Sequence, residues 1–490
     1  MVWHMADSRR KAPSWRHPAP AVAAAALMAV AGVAVCGPAV AETLQQALTS
    51  TYRTNPQLDA ARATLRAVDE DVARANATYR PVISGTANSA WTRSDTQPNT
   101  ATAGEIHPRS YGLSLSQPIF RGFRSLSQVR VAEANARAGR ETLRNTEQTV
   151  LLLAATAYMD VVRDQVTVRL TESNVNVLSN QLKATQDQFA VGEVTRTDVA
   201  QAESRRAGAI SALEVARSNL KTSRATYERV VGNPAGQLSE PREPSKVFPK
   251  SLEDANSIAA RENPLIVNAL YLEQAARFTI DQIRGELLPT ITLNAAYSRT
   301  WDPSRTLDEQ ESRSVTANMI VPLYTGGDVE ARVRQAKHTH VSRLQTVEQA
   351  RTEQQALVVT AWSRYLAAKA QLVAAMAQVK ASQTALTGVR EEYRVGQRTL
   401  LDVLNAEQEL LNAQLAEVNA RHDIIVQSYT VLQTIGRFSA QEMGLGVEIY
   451  DPEVHYFEVR RKWFGHSITY ADGRRENIEA GLDPSHTPAK

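Results

Sequence analysis

The sequence contains two copies of one pattern, and this duplication restricts the possible folds more than any other feature. The segment FAVGEVTRTDV, which begins at Phe189, matches YRVGQRTLLDV, which begins at Tyr393, at a shift of 204 residues. Near the start of each half the shift is 208 residues. A fixed internal period indicates repeated copies of one structural unit. We therefore predict two structural repeats, residues 42–243 and 244–443.

Each repeat is predicted to begin with a helix that an Asn-Pro pair starts. Asn55 and Asn263 are each followed by proline. Asparagine is a favoured N-cap, and proline is favoured at the first helical position. Pro81 and Pro289 stop these helices, so we expect the second of them at 263–287 and the first between Asn55 and Tyr79.

The apolar residues then change from a helical period to a period of two. Ile83, Gly85 and Ala87 alternate with polar residues, as do Ile291 and Leu293 in the second repeat. This alternation is typical of strands with one apolar and one polar face. The predicted boundaries are hairpins at 82–118 and 290–322, polar loops at 94–109 and 302–311, and strand ends at Pro118 and Pro322.

A very long helix follows each hairpin. Residues 122–189 and 326–392 contain no proline, and their apolar residues recur at spacings of three, four or seven, which indicates a coiled-coil seam. At 1.5 Å per residue each helix would be roughly 100 Å long. Sequences that resemble capping boxes then begin return helices at 197–231 and 399–436. Because the short and the return helix together match the long one, we expect them to flank it along its whole length.

Residues 1–41 have the pattern of a secretory signal peptide. A basic segment with Arg9 and Arg10 precedes an apolar run, and Ala39-Val40-Ala41 is a typical cleavage site before Glu42. The alternatives are an anchoring helix, for which the run is short, and a lipoprotein signal around Cys36. Cleavage would leave 51 basic and 51 acidic residues and no thiol, because Cys36 is the only cysteine.

Composition and motifs exclude several functional classes. A neutral remainder without a Lys/Arg cluster lacks the electrostatic footprint of a nucleic-acid binder. No Walker A loop, H-E-x-x-H or G-x-S-x-G motif is present, so we predict no enzymatic activity and no cofactor. His338 and His340 are two apart on a helix and therefore do not share a metal ion; we expect both to be solvated.

Four strands with alternating apolar residues, in a chain predicted to be secreted and to lack a transmembrane helix, fit membrane-spanning β-strands. Four strands cannot close a barrel, so several chains would have to pool their strands. The alternative is two soluble hairpins that pack on a helical core. The alternation alone does not decide between them.

The sequence resembles the TolC-type outer-membrane efflux channels of Gram-negative bacteria over residues 42–443. The resemblance rests on the duplication, on the Asn-Pro helix starts, on the strand ends at Gln117 and Val321, and on the motif YxVGxRTxxDVLxA that begins at Tyr393. It implies a mixed α/β membrane protein, in which three chains form a twelve-strand β-barrel continuous with a helical coiled-coil barrel that crosses the periplasm.

The resemblance also implies passive export. An inner-membrane pump of the ABC, RND or MFS type and a periplasmic adaptor, or membrane fusion protein, would drive cargo through the channel, which would lie in outer-membrane lipid. The competing hypothesis is a soluble periplasmic coiled-coil adaptor of such a pump. An adaptor should have one helical hairpin between two β domains, whereas this sequence has two helical hairpins. The sequence does not identify the cargo.

The resemblance assigns roles to residues at the two helical tips. The positions that match a periplasmic gate are Thr197, Asp198, Tyr393 and Arg398, and those that match a pore constriction are Asp402 and Asn405. Where the family pattern has two acidic positions three residues apart, this chain has one. Gly192 and Gly396 would mark the tips that receive the adaptor. The alternative for Asp198 and Asp402 is plain helix capping, and the sequence alone does not favour either interpretation.

Residues 444–490 lie outside the repeat. We predict a periplasmic extension that wraps around the middle of the helices, with a disordered end from about Ala471.

Overall fold

The computed structural model describes residues 41–95, 104–244, 247–469 and 475–476. The predicted signal peptide therefore lies outside the described residues, except for Ala41, as does most of the predicted disordered end.

Both repeats contain the same elements in the same order: two helices, two long paired strands, a long helix and a return helix. In the first repeat they are α1 (Leu44–Thr54), α2 (Pro56–Ala77), β1 (Val82–Ser89), β4 (Arg109–Arg121), α3 (Arg124–Ala190) and α4 (Arg196–Val231). In the second they are α5 (Leu252–Glu262), α6 (Pro264–Arg284), β5 (Thr290–Ser304), β6 (Leu307–Ile320), α7 (Asp328–Arg394) and α8 (Leu400–Ile435). The remaining elements are β2 (Thr92–Ser94), β3 (Gly104–Ile106), α9 (Pro452–Arg460), β7 (Ile468–Thr469) and β8 (Arg475–Glu476).

The two Asn-Pro pairs are junctions between helices. Asn55 ends α1 and caps α2, and its side-chain amide donates a hydrogen bond to the carbonyl oxygen of Val230 on α4, at 3.0 Å. Asn263 does the same between α5 and α6, and donates to Thr434 on α8 at 2.8 Å. Each asparagine thus attaches its junction to the end of the return helix. The short helices α1 and α5 are additional to the predicted elements.

The long helices begin two residues later than the sequence suggests. Gly122 and Phe123 before α3, and Gly326 and Gly327 before α7, have positive φ angles, so the chain enters the helix only after them. Each long helix has 67 residues. The helices α2 and α4 lie along α3, while α6 and α8 contact both α3 and α7. After α6 a 3-10 turn, Gly285–Leu287, completes the segment predicted as helix to 287.

The largest core cluster lies where the short helices α1 and α5 meet the middle of α3, α7 and α8. Tyr158, Tyr227, Leu432 and Phe438 are among its fully buried side chains. The Tyr158 hydroxyl lies 2.7 Å from the carbonyl oxygen of Glu42 and 2.6 Å from that of Ser239. Burial raises the pKa of Tyr158, so this hydroxyl stays protonated and can donate. The segments before α1 and after α4 are thereby tied to α3.

The four long strands form one antiparallel sheet in the order β1-β4-β5-β6. The register aligns Ile83 with Leu115, Leu115 with Ala295, and Ala295 with Val315. Because directly opposed residues share a face, the alternating apolar residues of all four strands lie on one side of the sheet. Strands β1 and β6 are its edges.

Two sequence predictions about the hairpins were wrong. The segment 302–311 is not a loop: β5 reaches Ser304, β6 begins at Leu307, and Arg299 pairs with Glu309 across the strands. Its polar composition suggested a loop, but polar residues at a sheet end also pair across strands. Pro118 does not end β4 either. Pairing with β1 stops at Ser116, so Pro118 lies where β4 has an open edge that tolerates a missing N–H group.

The C-terminal extension leaves the core and follows α2. Its first part contacts the α1 region, where Arg53 donates to the carbonyl oxygen of Gly446. Helix α9 then lies on α2, and the buried His455 and Asp69 side chains are 3.1 Å apart. The extension therefore runs from the middle of the helices towards the sheet; it does not stay at the middle as we predicted.

None of the described helices combines the length and the apolar character that a membrane crossing requires. Within the same described part of the chain, no group of His, Cys, Asp and Glu side chains is arranged to hold a metal ion. His340 is half-buried beside Glu273, with 2.6 Å between its Nε2 and the carboxylate, so the prediction that it is solvated was wrong. His338 is exposed.

Candidate functional site

The tips of the two long helical hairpins carry most of the residues selected from the sequence. At the end of α3, Gly192 has a φ of 79°, and at the end of α7, Gly396 has a φ of 78°. The next residues close the turns, since the N–H group of Glu193 donates to Gln188 and that of Gln397 donates to Glu392. This is the Schellman arrangement, in which a left-handed residue ends the helix. Both glycines are exposed, with open space around them.

The acidic residues at the tips cap the return helices. The Asp198 carboxylate accepts hydrogen bonds from the backbone N–H and the hydroxyl of Thr195, and Asp402 does the same with Thr399. These bonds lower the pKa of Asp402. In a single chain both aspartates therefore form the capping boxes that the sequence suggested.

Two polar contacts and one apolar cluster join the tip of the first repeat to that of the second. The Tyr393 hydroxyl lies 3.4 Å from Oε1 of Gln188, and the Arg205 guanidinium donates to Oδ1 of Asn405 at 2.8 Å. The apolar cluster comprises Leu178, Ala209, Leu400 and Leu404, with Val175 and Tyr393 against it. The structure thus brings Tyr393 and Asn405 into contact with the other hairpin.

The remaining predicted gate residues do not join the two hairpins within one chain. Arg398 pairs with Glu392 of its own hairpin at 2.8 Å, and Thr197 is exposed. Sequence analysis missed Gln188 and Arg205, which are the partners of Tyr393 and Asn405. The duplication could not reveal them, because contacts between the repeats do not follow from a shift along the sequence.

An ion pair with a buried carboxylate lies next to this contact. Arg390 on α7 donates to Glu407 on α8 at 2.9 Å, and the Glu407 side chain is only 6% exposed. Its second oxygen has no hydrogen-bond partner among the described residues. The pair holds the last turns of α7 against α8 immediately behind the tip.

Comparison with known proteins identifies the family. The model of the outer membrane efflux protein family matches residues 45–233 and 256–437, which correspond to the two repeats. The chain belongs to this family.

Relatives and solved structures of this family agree with the match. The chain is 39% identical to the outer membrane efflux protein BepC of Brucella suis over 455 residues, which cover 92% of this chain and 97% of the relative. It is 25% identical to the outer membrane protein TolC of Escherichia coli over 422 residues, 82% of this chain and 84% of TolC. The structure of the Campylobacter jejuni CmeC outer membrane channel has a TM-score of 0.73 at 16% identity, covering 85% of this chain and 89% of that one.

Membership places this efflux protein in the outer membrane as an export channel. The resemblance to TolC-type channels is confirmed, and the competing hypothesis of a soluble adaptor was wrong. The family consists of transport channels rather than enzymes, and the tips are a structural candidate for the part that controls passage.

Proposed function

We propose that three copies of this efflux protein form a continuous passive duct. The observation that supports this proposal most strongly is the four-stranded sheet. Its edges, β1 and β6, have no second partner strand among the described residues, and one of its faces carries the alternating apolar residues. Unpaired strand edges are not tolerated in lipid, so a closed barrel is required. Four strands are too few for a barrel, whereas three chains would supply twelve.

The dimensions of the sheet support a membrane-spanning role. Apolar residues follow this face from Ile291 to Tyr297 on β5, and beyond them Arg299 and Glu309 pair on the same face. The whole of β5 has 15 residues, more than the about 10 that a tilted membrane-spanning strand needs. Towards the far end of this face the Tyr111 ring contacts both Tyr297 and Trp301, with ring centroids 6.1 and 5.6 Å apart. Aromatic residues at the border of an apolar band are typical of the lipid-water interface.

Disulfide trapping across neighbouring chains tests the trimer. If β1 of one chain pairs with β6 of the next, Ser84→Cys combined in turn with cysteine at each polar-face position of β6 should yield a covalent trimer for at least one combination. Those β6 positions are Ser312, Ser314, Thr316 and Asn318. Each single-cysteine variant is the matched control and should not form a covalent ladder. Covalent dimers only, or no link in the whole series, would contradict the trimer.

We further propose that the tips form the periplasmic gate and constriction of this duct. Thr197, Asp198, Tyr393 and Arg398 would hold the closed end, and Asp402 and Asn405 would line it. The proposal is supported by the contacts of Tyr393 and Asn405 with the other hairpin. Arg398 and Thr197 would act between neighbouring chains, because within one chain neither reaches the other hairpin.

The tips would also receive a periplasmic adaptor that links the duct to an inner-membrane pump. Two exposed valines, Val191 and Val395, precede the tip glycines at equivalent positions of the two repeats and are 73% and 71% exposed. Relatives are named for the secretion of alkaline protease and the export of pyoverdine, so the cargo differs within the family. We propose that the pump, of ABC, RND or MFS type, selects the cargo.

Photo-crosslinking identifies that adaptor. A benzoylphenylalanine at Val191 or Val395 should capture one periplasmic protein in intact cells. Val215, also exposed but far from the tip on α4, is the control position and should capture none. Equal capture at all three positions would contradict docking at the tips.

A further inference from the structure

Helix α9 of the C-terminal extension ends close to the first residues of the sheet. The Arg80 guanidinium donates to the carbonyl oxygen of Lys462 at 2.7 Å and lies 4.6 Å from the ring centroid of Trp463. Arg80 is two residues before β1, which begins at Val82. Lys462 and Trp463 therefore lie at the helical end of the sheet.

All four strands have one end at this helical end of the sheet. Val82 opposes Ser116 near the end of β4, and Thr290 at the start of β5 opposes Ile320 at the end of β6. Large aromatic side chains are exposed around it. They are Tyr79 at 49%, Phe123 at 61%, Tyr324 at 86%, Trp463 at 59% and Phe464 at 87% exposed. Two of the five come from the extension, which is outside the repeat and contributes no strand to the sheet.

The same segment is cationic. Arg461 and Lys462 follow α9, and no acidic residue lies between Glu458 and Ile468. Arg461 is exposed, and within the described part of the chain no ion pair involves it. Tryptophan and phenylalanine beside lysine and arginine are the combination that favours the interface between lipid headgroups and acyl chains.

The segment is held rigidly in this position. His455 and Asp69 are 5% and 0% exposed where α9 meets α2, and Glu453 pairs with Arg140 on α3 at 2.8 Å. The Arg460 carbonyl oxygen accepts a hydrogen bond from Asn76 at the end of α2. These contacts fix both ends of α9, so Lys462 and Trp463 are held beside Arg80, and the residues after them line a cavity with Ala63 and Ala73 of α2.

We infer that residues Arg461–Phe464 form an interfacial anchor, in which the two aromatic side chains enter the periplasmic leaflet of the outer membrane and the cations contact phospholipid phosphates. Continuity with the strands favours lipid over protein as the occupant, because the anchor lies where those strands would leave the membrane. The inference rests on the proposed membrane-spanning role of the sheet. Through α9 the anchor would connect the membrane surface to the helical body.

Spin labels on the full-length protein test this inference. We would label Phe464→Cys, Phe457→Cys and Val315→Cys in vesicles of phosphatidylethanolamine and phosphatidylglycerol, and compare collision with oxygen, which concentrates in lipid, and with a water-soluble nickel chelate. Phe457 is the matched control, since it is 59% exposed and lies within α9, before the segment that reaches Arg80. Val315 is on the apolar face of β6 and reports on the sheet itself.

We expect oxygen to relax the Phe464 label more strongly than nickel does, and the reverse for the Phe457 label. A Phe464 label as accessible to nickel as the Phe457 label would overturn the inference, because the segment would then lie in water. A Phe464 label that neither reagent reaches would also overturn it and indicate that a second copy of the chain covers the segment. If the Val315 label contacts nickel rather than oxygen, the proposed membrane-spanning sheet itself fails.

Discussion

His422 on α8 contacts Asp160 on α3, with 3.1 Å between Nε2 and the carboxylate oxygen, and so connects the return helix of the second repeat to the long helix of the first. Its other ring nitrogen lies 2.8 Å from Asp423, and Arg163 pairs with Asp160 at 3.0 Å. Burial favours the neutral imidazole, but the two carboxylates outweigh burial and raise the pKa of His422.

This contact predicts a pH-dependent stability. A raised pKa in the folded state means that the charged imidazolium stabilises the fold fully below its unfolded pKa of about 6.5, and that this contribution is lost as the pH rises through the folded value. His422→Asn should therefore lower the thermal denaturation midpoint more at pH 5.5 than at pH 9. Circular dichroism of the detergent-solubilised protein measures this. His338→Asn, at an exposed site, should show no such difference. An equal loss from His422→Asn at both pH values would show that the residue only fills space.

The ends of the return helices predict an asymmetry between the repeats. Gly232 and Gly436 follow α4 and α8 with φ angles of 88° and 87°. Alanine at either position would have to adopt the left-handed helical conformation, which costs roughly 1–2 kcal/mol. At Gly436 a Cβ atom would also lie 2.7 Å from the backbone oxygen of Glu262, whereas at Gly232 the nearest atom, at 2.5 Å, is the side-chain hydroxyl of Thr54.

Because a side chain can rotate and a backbone cannot do so cheaply, Gly436→Ala should destabilise the protein more than Gly232→Ala. Denaturant unfolding of the two variants gives the comparison, and adding Thr54→Ser, which removes the methyl group that restricts rotation of the hydroxyl, should recover stability only in the Gly232 variant. The opposite ranking would show that the Glu262 backbone moves readily.

Much of the fold could be predicted because its signals are local. The Asn-Pro pairs, the tip glycines and the Thr-Asp capping boxes each determine backbone geometry within a few residues, and the duplication supplied a second example of each. The predicted return helices at 197–231 and 399–436 differ from α4 and α8 by no more than one residue at each end. Strand lengths at the far end of the sheet depend instead on pairing across strands, which the polar composition of 302–311 concealed.

The candidate site was harder to predict than the fold. Arg205 and Asn405 are 200 residues apart and become neighbours only when α4 and α8 lie side by side. Neither has a motif of its own. The path of α9 along α2 was also inaccessible, since the His455 and Asp69 contact joins a segment outside the repeat to one inside it.

The tip contacts predict the opening of the channel. Arg205→Ala combined with Tyr393→Phe removes both polar contacts described between the two hairpin tips of one chain, while within one chain Arg398→Ser removes its pair with Glu392. If the hairpins of one chain form the gate, the double variant should raise single-channel conductance in planar bilayers, and Arg398→Ser alone should raise it less. A larger effect of Arg398→Ser would assign the gate to contacts between neighbouring chains.

The last prediction concerns charge at the constriction. A ring of three Asp402 carboxylates in a trimer would favour cations and bind a trivalent cation, as carboxylate rings do in other pores. Because the hydrogen bonds from Thr399 lower the pKa of Asp402, this charge persists at neutral pH. Asp402→Asn should therefore weaken block by a trivalent cation added from the periplasmic side. Block that survives this replacement unchanged would restrict Asp402 to helix capping.

The neighbouring position sharpens the test. Asn405→Asp would place a second carboxylate one helical turn away, but Arg205, now 2.8 Å from the Asn405 side chain, would pair with it and offset its charge. We therefore expect Asn405→Asp alone to strengthen block only slightly, and Asn405→Asp with Arg205→Ala to strengthen it much more. Arg205→Ala alone is the control for the lost cation. If the double variant blocks no better than this control, residue 405 does not face the lumen, and the cation filter consists of Asp402 alone.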